Sequence, residues 1–538
     1  MLKILRFVRP LPALLLGLFA TGTWAQSFKV QCPMTTPNPV GTISAPGSTV
    51  TIPGGQTKCQ QISGGDGFAT MADGTQTYLF AFGPLSGMAD IVKGLPGTQT
   101  AAVFNSLAGS DQATIGAPQQ GVTTFNGAVG LVNDPEPALD GSNNPICPNG
   151  DGGVPGTCLT GHVDPRAIMD VGVLNGSEPA PLFAIDEDDQ FFLTLTNVGQ
   201  VMRPDLFEQH TVHFHGYPNA SAFYDGVPDA SVAINIGGSF TYYYLAPDAG
   251  TYFWHCHITP PEHLQMGMVG QIYVRPRQNR VGTLASPASL YAALQMLNVP
   301  PLNAAAPTKV EYDRLRARCN GDILCSNPLP AVNTGATNDG TKKYAYNDGD
   351  GSTQYDVEYP LQMHGFDPNF HFVGMTFNPE AFTDMKDKYF LLNGRSYPDT
   401  INPKPLKTQA TDTVERTSQP LSALIRIPAG GKALLRISDL NVSEYHTLAS
   451  LGIPMKVIAL NAKLLRDQDG NNLYYDTNSI TLAGGESLDV ILDASRPEFA
   501  NCTSSTPCRF YLYTPQMDHL SNDAENFGGM MTEVVVGP

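Results

Sequence analysis

Beyond residues 1–25, the sequence lacks any uninterrupted apolar run of about 20 residues, the length needed to span a bilayer. Basic residues are scarce as well, because 31 lysines and arginines stand against 49 acidic residues and leave a net charge of -18. The acidic residues are dispersed in loops, and the resulting field repels nucleic acid and anionic membranes. We therefore expect a soluble protein without membrane insertion and without a nucleic-acid partner.

Residues 1–25 have the pattern of a secretory signal peptide. Lys3 and Arg6 precede an apolar run from Leu11 to Ala20, and a Thr-Trp-Ala segment follows before Gln26. The run is too short to cross a bilayer but fits a cleaved signal. We therefore expect the mature protein to be secreted or periplasmic.

Cysteines are few, and there are nine in the whole chain. Setting Cys256 aside as a candidate metal ligand leaves eight, an even number that favours disulfides in an oxidising compartment. The pairs closest in sequence are Cys32 with Cys59, Cys147 with Cys158, Cys319 with Cys325, and Cys502 with Cys508. Spacing does not fix the connectivity, and some of these cysteines staying free is the alternative.

The low charged fraction, 15%, and the 53 glycines and 44 prolines favour a multi-domain, loop-rich β protein. Residues 26–165 have few apolar runs and one convincing strand, Gln76 to Phe82, so we predict a loop-rich N-terminal extension or insertion. Strand patterns occupy residues 166–276 and 355–538. Residues 277–354 form a connector with helical spacing at Ser286 to Leu297 and Lys309 to Arg318.

Two strand-like pieces carry most of the candidate metal ligands. The first reads His210-Thr-Val-His213-Phe-His215, and the second ends in His255-Cys256-His257, with His263 and Met268 following. Successive side chains on a strand point to opposite faces. If the strands are neighbours, one face presents His213, His215, His255 and His257, and the other presents His210 and Cys256.

The two faces predict two metal sites, back to back. Two histidines, a cysteine and a weak axial methionine are the ligands of a blue-copper electron-transfer centre, and His263 and Met268 complete that set. Four imidazoles suit copper too, although zinc or iron would also accept them. A single His-x-His pair is often incidental, but the full pattern is much more specific.

These motifs resemble the copper-binding cupredoxin domain of the multicopper oxidases, with laccase-like enzymes as the nearest picture. The segments Phe223 to Pro228, Gly237 to Phe240 and Ala249 to Phe253 resemble the family's intervening sequence. The resemblance assigns His210, Cys256, His263 and Met268 to type 1 copper, His213 to type 2 copper, and His215, His255 and His257 to type 3 copper. The loop between Cys256 and His263 is longer than is usual in laccases, which we interpret as loop variation.

The second half repeats the first without most of its ligands. His446-Thr-Leu-Ala449-Ser-Leu451 matches the first histidine motif with both cluster histidines replaced, and Tyr513-Thr514-Pro515 stands where His255-Cys256-His257 stands. His519 and Met530 keep the positions of His263 and Met268. We therefore predict an all-β chain of tandem cupredoxin-like Greek-key β-sandwich domains. The second is interpreted as having lost its copper, with His446 and His519 packed or hydrogen-bonded.

The family's trinuclear cluster uses eight histidines from two domains, and the recognisable motifs here supply four. His162, His364 and His371 do not form His-x-His pairs. The missing imidazoles would come from these residues, from a second copy of the chain, or from another partner. A homo-oligomer is therefore a hypothesis.

The resemblance implies a copper oxidoreductase that oxidises a small-molecule or metal-ion reductant by single electrons at type 1 copper and reduces dioxygen at the histidine face. Asp225 lies in an Asp-Gly-Val-Pro segment that resembles one carrying a proton-handling acid in the family, and its alternative role is that of a turn residue. Two other functions stay open. One is a type 1 electron-transfer or copper-holding protein, and the other is an enzyme resembling copper nitrite reductase, for which His213 and His257 would be extra ligands.

Overall fold

The computed structural model describes residues 32–36, 43–44, 51–104, 131–133, 159–163, 171–217, 221–246, 248–282, 289–297, 329–374, 381–409, 413–467 and 469–537. The expected signal peptide, the helical pattern at Lys309 to Arg318, and the candidate pairs Cys147 with Cys158 and Cys319 with Cys325 lie outside these residues. The described part of the chain contains no helix long and apolar enough to cross a membrane.

Strands dominate the first half of the chain. In order they are β1 Ile43–Ser44, β2 Thr51–Ile52, β3 Thr57–Thr70, β4 Gln76–Pro84, β5 Gln99–Thr100, β6 Leu131–Asn133, β7 Leu159–Val163, β8 Phe183–Asp186, β9 Gln190–Gly199, β10 His213–His215, β11 Ser239–Leu245, β12 Gly250–His255 and β13 Val269–Arg275. Short helices span Met88–Ile91, Ala101–Phe104 and Pro260–Gln265, and one-turn 3-10 helices span Ala222–Tyr224 and Arg277–Arg280.

The second half is also built of strands. They are β14 Lys343–Tyr344, β15 Gln354–Tyr355, β16 Val357–Phe366, β17 Tyr389–Leu392, β18 Leu406–Gln409, β19 Glu415–Gln419, β20 Ile425–Pro428, β21 Lys432–Asp439, β22 His446–Leu451, β23 Met455–Leu460, β24 Lys463–Leu464, β25 Tyr475–Thr477, β26 Ser479–Leu482, β27 Ser487–Asp493, β28 Cys508–Tyr513 and β29 Met531–Gly537. Helices span Leu290–Leu297 and Pro368–Gly374, and 3-10 turns span Phe382–Asp384, Asp399–Ile401, Pro497–Phe499 and Met517–His519. The helix Leu290–Leu297 confirms part of the predicted connector pattern.

The first sandwich packs a five-stranded sheet against a four-stranded sheet. The first sheet has the order β11-β9-β3-β4, with β5 paired to β3, and the second has the order β10-β12-β13-β8. Alternate residues of β9, Phe191, Leu193 and Leu195, point into the core and are fully buried. Trp254 of β12 stacks on Phe183 at a ring-centroid distance of 4.4 Å, so the strand that carries His255 is anchored in this core.

The sequence pattern predicts that the first sandwich starts at residue 166. In the structure it begins well before that residue. Strands β3 and β4 lie within the predicted extension, yet β3 pairs with β9 along most of its length and β4 completes the sheet edge. Strand β3 escapes detection because its buried side chains are largely polar. Gln61, for example, donates to Thr196 Oγ1 at 3.2 Å and is fully buried. The prediction of a loop-rich extension is therefore wrong for residues 57–84, apart from the strand at Gln76 to Phe82.

The second sandwich repeats the architecture with more strands. Its sheets have the orders β17-β16-β21-β27-β23-β24, with β25 paired to β23, and β20-β29-β28-β22-β26. The predicted strands at Tyr389 to Arg395 and Leu424 to Pro428 are confirmed in β17 and β20. The remaining pairs, β1 with β2, β6 with β7, β14 with β15, and β18 with β19, are two-stranded. The all-β expectation of tandem sandwiches is confirmed.

Buried polar contacts join the two sandwiches. Thr251 of β12 donates to Asp489 of β27 at 2.6 Å. Glu358 accepts from Arg275 at 2.6 Å and from Arg436 at 3.1 Å. Burial alone would raise the pKa of Glu358, but the two guanidinium groups lower it to about 2, so the carboxylate stays charged. The second sandwich is thus held directly against the strand that carries His255.

Two disulfides join the described cysteines. Cys32 pairs with Cys59, and Cys502 pairs with Cys508, as their spacing suggests. Cys256 is buried and carries a free thiol. Cysteine pairing therefore leaves Cys256 available for another role.

Candidate metal centre

The two histidine-bearing strands are neighbours, which is the condition on which the two-face arrangement depends. Strands β10 and β12 run antiparallel, with His213 opposite His255 and Phe214 opposite Trp254. Because side chains alternate, Phe214 and Trp254 point into the apolar core while His213 and His255 point away from it. The register places the histidines of both strands on one face.

Four imidazoles cluster on that face, which we call the histidine face: His213, His215, His255 and His257. The ring of His213 lies 5.1 Å from that of His255, 5.2 Å from that of His257 and 5.7 Å from that of His215, between centroids. The ligand nitrogens of His213, His215 and His255 all lie within 4.8 Å of one another. The predicted four-histidine set is therefore assembled within one chain.

Backbone carbonyls orient two of these rings. His213 Nδ1 lies 2.7 Å from the carbonyl oxygen of Asp225, and His255 Nδ1 lies 2.7 Å from that of Cys256. A ring that donates from Nδ1 keeps its Nε2 lone pair for a metal ion. Burial, with repulsion from the neighbouring rings, lowers the pKa of His215 to about 4 and that of His255 to about 3. Neutral imidazole, the form that binds metals, is therefore favoured at neutral pH.

The second donor set comprises His210, Cys256, His263 and Met268, and we call it the thiolate site. It lies on the opposite side of the His255-Cys256-His257 segment from the histidine face. His263 Nδ1 lies 3.2 Å from Cys256 Sγ, and the rings of His210 and His263 are 5.5 Å apart. All four side chains are fully buried. A Cβ built on Gly64 would lie 2.7 Å from His210 Cδ2 and 3.4 Å from Met268 Cε, so strand β3 closes this pocket and brings His210 and Met268 together.

Charge is concentrated at the thiolate site. Burial would raise the pKa of the Cys256 thiol, but attraction to His263 and His210, with the contact to His263 Nδ1, lowers it well below its usual range. Burial would lower the pKa of His263, but the Cys256 sulfur and Glu208 raise it to about 9. These opposite shifts favour the thiolate form of Cys256, which is the form that binds a metal ion.

Sequence reasoning did not identify two residues that contact the thiolate site. The backbone amide of Thr211 donates to Cys256 Sγ at 3.4 Å, and the Thr211 hydroxyl accepts from the His257 amide at 3.0 Å. Glu208 Oε2 lies 3.7 Å from His263 Nε2. No motif marks either residue, although both flank His210 in the chain. Thr211 thus connects the thiolate site to the histidine face.

Asp225 lies beside the histidine face, where its candidate role requires it. Its carboxylate is 3.5 Å from His213 Nδ1 and its side chain is 30% exposed. The side chain therefore faces both solvent and the ring. The turn interpretation also has support, because Asp225 follows the 3-10 helix Ala222–Tyr224 and Gly226 has a φ of 81°.

Of the other histidines considered as cluster ligands, His364 and His371 contact groups away from the histidine face. His364 Nδ1 contacts Glu178 Oε1 at 3.0 Å. His371 contacts two backbone carbonyls, that of Tyr78 at 2.6 Å and that of Gln265 at 2.8 Å, and burial lowers its pKa to about 3. The side chain of His162 lies outside the described part of the chain. Neither His364 nor His371 joins the histidine face.

A cavity of about 290 Å³ opens beside the histidine face, between the two sandwiches. His215 and Phe253 line one side, and Gly484, Gly485 and Glu486 of the second sandwich line the other. Gly485 has a φ of 95°, and a Cβ there would come within 3.3 Å of His215 Nε2. The glycine thus keeps a small space open next to an imidazole nitrogen.

The donors present fit copper at both sites. The buried His210 ring has no hydrogen-bond partner on either nitrogen, so it has a lone pair free for a metal ion. Thiolate and thioether donors select copper, and imidazoles accept it. His210, Cys256, His263 and Met268 would hold one ion, and the histidine face would hold more.

Comparisons with known proteins agree with this chemistry. Residues 160–279 match the family model described as multicopper oxidase. Laccase abr2 of Aspergillus fumigatus is 29% identical over 166 residues, which is 29% of this chain and 27% of that protein. The copper-containing nitrite reductase of Rhizobium meliloti is 35% identical over 109 residues, which is 19% of this chain and 26% of that protein. This chain thus spans about a quarter of the length of these curated relatives.

Solved structures resemble the chain over a longer stretch. The match to the blue copper oxidase of Nitrosomonas europaea covers 67% of this chain and 78% of that chain, with 20% sequence identity and a TM-score of 0.40.

Proposed function

We propose that this chain, whose residues 160–279 belong to the multicopper oxidase family, is a copper-dependent oxidoreductase with two tandem cupredoxin domains. It takes single electrons from a small-molecule or metal-ion reductant at the thiolate site and passes them to dioxygen at the histidine face. Bound copper supplies this one-electron redox chemistry. The observation that carries the proposal is the back-to-back arrangement of the two donor sets around His255, Cys256 and His257.

The protein's contribution at the thiolate site is to fix the donors and keep water out. Full burial of Cys256 and His263 excludes solvent, and the Thr211 amide restrains the sulfur. His255 and His257 are the chain neighbours of Cys256, so a short covalent path leads from the thiolate to the histidine face. This short path is the physical reason for assigning electron entry to one site and oxygen reduction to the other.

At the histidine face, the protein orients imidazoles and supplies protons. We assign His213 to type 2 copper and His215, His255 and His257 to type 3 copper, as the resemblance implies. Asp225 is the proposed proton carrier, because its partly exposed carboxylate lies 3.5 Å from His213 Nδ1. The cavity beside His215 gives dioxygen room to approach.

The remaining cluster imidazoles come from a second copy of the chain in this proposal. His364 and His371 are bonded to other groups, and the described second sandwich has Ala449 and Leu451 where the cluster histidines would stand. A homo-oligomer that brings another donor set to the histidine face would complete the cluster.

The proposed location is outside the cytoplasm. The signal-like pattern of residues 1–25 and the disulfides Cys32–Cys59 and Cys502–Cys508 support export to an oxidising compartment.

The decisive experiment combines copper stoichiometry, visible and spin-resonance spectra, and oxygen consumption on the purified full-length protein. We expect intense thiolate-to-copper absorption, more than one copper per chain, and oxygen uptake with a one-electron reductant. A coloured protein with a single copper and no oxygen uptake would contradict the oxidase and support an electron-transfer protein.

A nitrite-reductase-like enzyme is the second candidate, favoured by the 35% identity to the Rhizobium meliloti protein. His213 and His257 count against this candidate. Their rings lie 5.2 Å apart on the same face as His215 and His255, and a nitrite-reductase-like site would not need these two extra ligands. Supplying nitrite in place of oxygen to the reduced protein separates the two. Reoxidation by nitrite with release of nitric oxide would favour this candidate over the oxidase.

A further inference from the structure

The helix Pro260–Gln265, which carries His263, ends in a glutamine that the second sandwich holds. Gln265 is fully buried, so both its amide nitrogen and its amide oxygen need hydrogen-bond partners inside the protein. Both partners lie beyond strand β16, in the second half of the chain. The end of this helix is therefore fixed by groups outside the sandwich to which the helix belongs.

Three contacts tie Gln265 to the second half of the chain. Its Nε2 donates to Asp387 Oδ1 at 2.9 Å, and its Oε1 accepts from the backbone amide of Asp367 at 3.1 Å. The carbonyl oxygen of Gln265 lies 2.8 Å from His371 Nε2. The side chain and the main chain of one residue are thus restrained from three separate positions.

The two side-chain partners are themselves held in place. Ser443 donates to the other carboxylate oxygen of Asp387, and Gly365 leaves room for that oxygen, because a Cβ there would collide with it. Asp367 is restrained through its own side chain, whose Oδ2 accepts from the backbone amide of Lys386 at 2.7 Å. The second sandwich therefore offers the helix a preformed acceptor and a preformed donor.

Ligands of the thiolate site flank Gln265 along the chain. His263 comes two residues before it and Met268 three residues after it, and the Met268 amide donates to the His263 carbonyl at 2.8 Å. The Cys256 amide donates in turn to the Met268 carbonyl at 3.0 Å. A shift of the helix end would therefore displace three of the four donors together.

The other end of the helix is strained. Thr259, which precedes Pro260, has a φ of 37°, in the left-handed region that a β-branched residue rarely adopts. Such a conformation persists only where the surrounding structure imposes it. The contacts of Gln265 supply such a restraint, and without them the segment before His263 could relax.

We propose that Gln265 is the positioning residue through which the second sandwich sets the geometry of the thiolate site. The second sandwich, whose own frame has Thr514 in place of a cysteine, thus acts on the first by holding the helix that carries His263. This role rests on the proposed function for the copper spectra, whereas protection of Cys256 in the metal-free protein reports on it independently.

Gln265→Glu breaks the contact, because at about pH 8 it sets a second buried carboxylate against Asp387. Adding Asp387→Asn should restore the contact, since the asparagine amide donates to the new carboxylate and the Asp367 amide still donates to its other oxygen. Gln271→Glu is the matched control. Gln271 is also fully buried and donates across the interface to the Arg436 carbonyl at 2.8 Å, but it lies on β13, outside the helix.

The first measurement is modification of Cys256 by a thiol reagent in the metal-free full-length protein, followed by mass spectrometry of the peptide that contains it. Labelling of a buried thiol requires local opening, so Gln265→Glu should react at least about tenfold faster than the wild type. The double variant and Gln271→Glu should react at the wild-type rate. Gln265→Met, which removes the hydrogen bonds without adding charge, takes the place of Gln265→Glu if circular dichroism shows that variant to be unfolded.

The second measurement uses the copper-loaded protein. Gln265→Glu should shift the thiolate-to-copper absorption and the reduction potential, and the double variant should return both to the wild-type values. Unchanged labelling in Gln265→Glu, equal acceleration in Gln271→Glu, or a double variant no better than Gln265→Glu would overturn the positioning role. The expected labelling pattern in a protein that never develops the absorption would refute the copper site and still support the role of Gln265.

Discussion

The two sandwiches place different chemistry on the same backbone frame. In the first, the Cys256 amide donates to the Met268 carbonyl at 3.0 Å, and in the second, the Thr514 amide donates to the Met530 carbonyl at 2.9 Å. The Met268 amide donates to the His263 carbonyl at 2.8 Å, and the Met530 amide to the His519 carbonyl at 3.1 Å. Paired imidazoles are also kept, with ring distances of 5.5 and 5.8 Å.

What differs is the set of donors that this frame presents. The first sandwich places a thiolate between the two histidines, and the second places carboxylates around them. The backbone hydrogen bonds are the same in both, so they do not depend on a particular ligand. The comparison teaches that the shared frame fixes where the donor atoms lie, and that the side chains decide what chemistry those atoms offer.

The largest effect should come from making the first site like the second at its central position. Cys256→Ser removes the thiolate, so we expect loss of the intense visible absorption and of about one copper per chain, measured by absorption and metal analysis. Thr514→Ser is the matched control, because it changes the equivalent residue of the other sandwich and should keep the colour. A blue Cys256→Ser protein would refute the assignment.

The second effect concerns the histidine face, which is present in the first sandwich and has no counterpart among the described residues of the second. If another chain supplies the missing imidazoles, dilution should abolish oxygen uptake and the coupled-copper signals as the oligomer dissociates. The colour should survive, because His210, Cys256, His263 and Met268 belong to one chain. Sedimentation velocity at matched concentrations is the measurement, and full activity in a monomer would contradict the shared cluster.

Added copper should in turn favour the oligomer, because metal binding that needs a neighbour is linked to assembly. The control is Cys256→Ser, which lacks the thiolate but keeps the histidine face and should still assemble with copper.

A smaller effect is expected at Asp225, the acid beside the histidine face. Asp225→Asn keeps the backbone carbonyl that orients His213 but removes a transferable proton, so oxygen reduction should slow by roughly 100-fold. Reduction of the thiolate site by the reductant should stay nearly unchanged, and stopped-flow measurement of the two half-reactions separates them. Asp229→Asn, an exposed acid nearby, is the control. Equal slowing of both half-reactions would assign Asp225 a structural role in the turn.

Local patterns in the sequence predicted the division of ligands between two faces, on the condition that the two histidine-bearing strands are neighbours. Alternation along a strand is a short-range property, so spacing alone assigns His213 and His215 to one face of β10. The register that places His255 on the same face is a contact between strands. The repeat in the second half was predicted for the same reason, since His446, Thr514 and His519 keep the order of the first motif.

Long-range contacts could not be predicted in this way. Strand β3 is rich in glycine and buried polar residues, so nothing local shows that Gly64 closes the thiolate site. The approach of Asp387 to His446 was not predicted, because the two residues lie far apart in the chain and only the fold brings them together. Sequence reasoning interpreted His446 and His519 as packed or hydrogen-bonded, and the structure agrees. Both side chains are buried, an amide of Asn441 lies 3.3 Å from one His446 nitrogen, and the His519 ring stacks on Phe390 at a centroid distance of 3.8 Å.

The comparison of the two frames can be sharpened by restoring the thiolate on the second one. Thr514→Cys, made in the Cys256→Ser background, places sulfur beside His446 and His519 on a backbone that matches the first site, with Met530 fully buried nearby. If the side chains decide the metal, this double variant should regain part of the visible absorption lost in Cys256→Ser.

We expect the restored absorption to be weaker than that of the wild type, because Asp387 and Glu444 compete with the new thiolate as hard donors for copper. Adding Glu444→Gln to the double variant should strengthen it by removing one competitor, with Glu525→Gln as the control. Absorption and spin-resonance spectra at equal copper loading provide the measurement. A variant that binds copper through sulfur yet stays colourless with and without Glu444 would show that the frame of the second sandwich has itself diverged, and that the ring positions of His446 and His519 are fixed by their carboxylate neighbours.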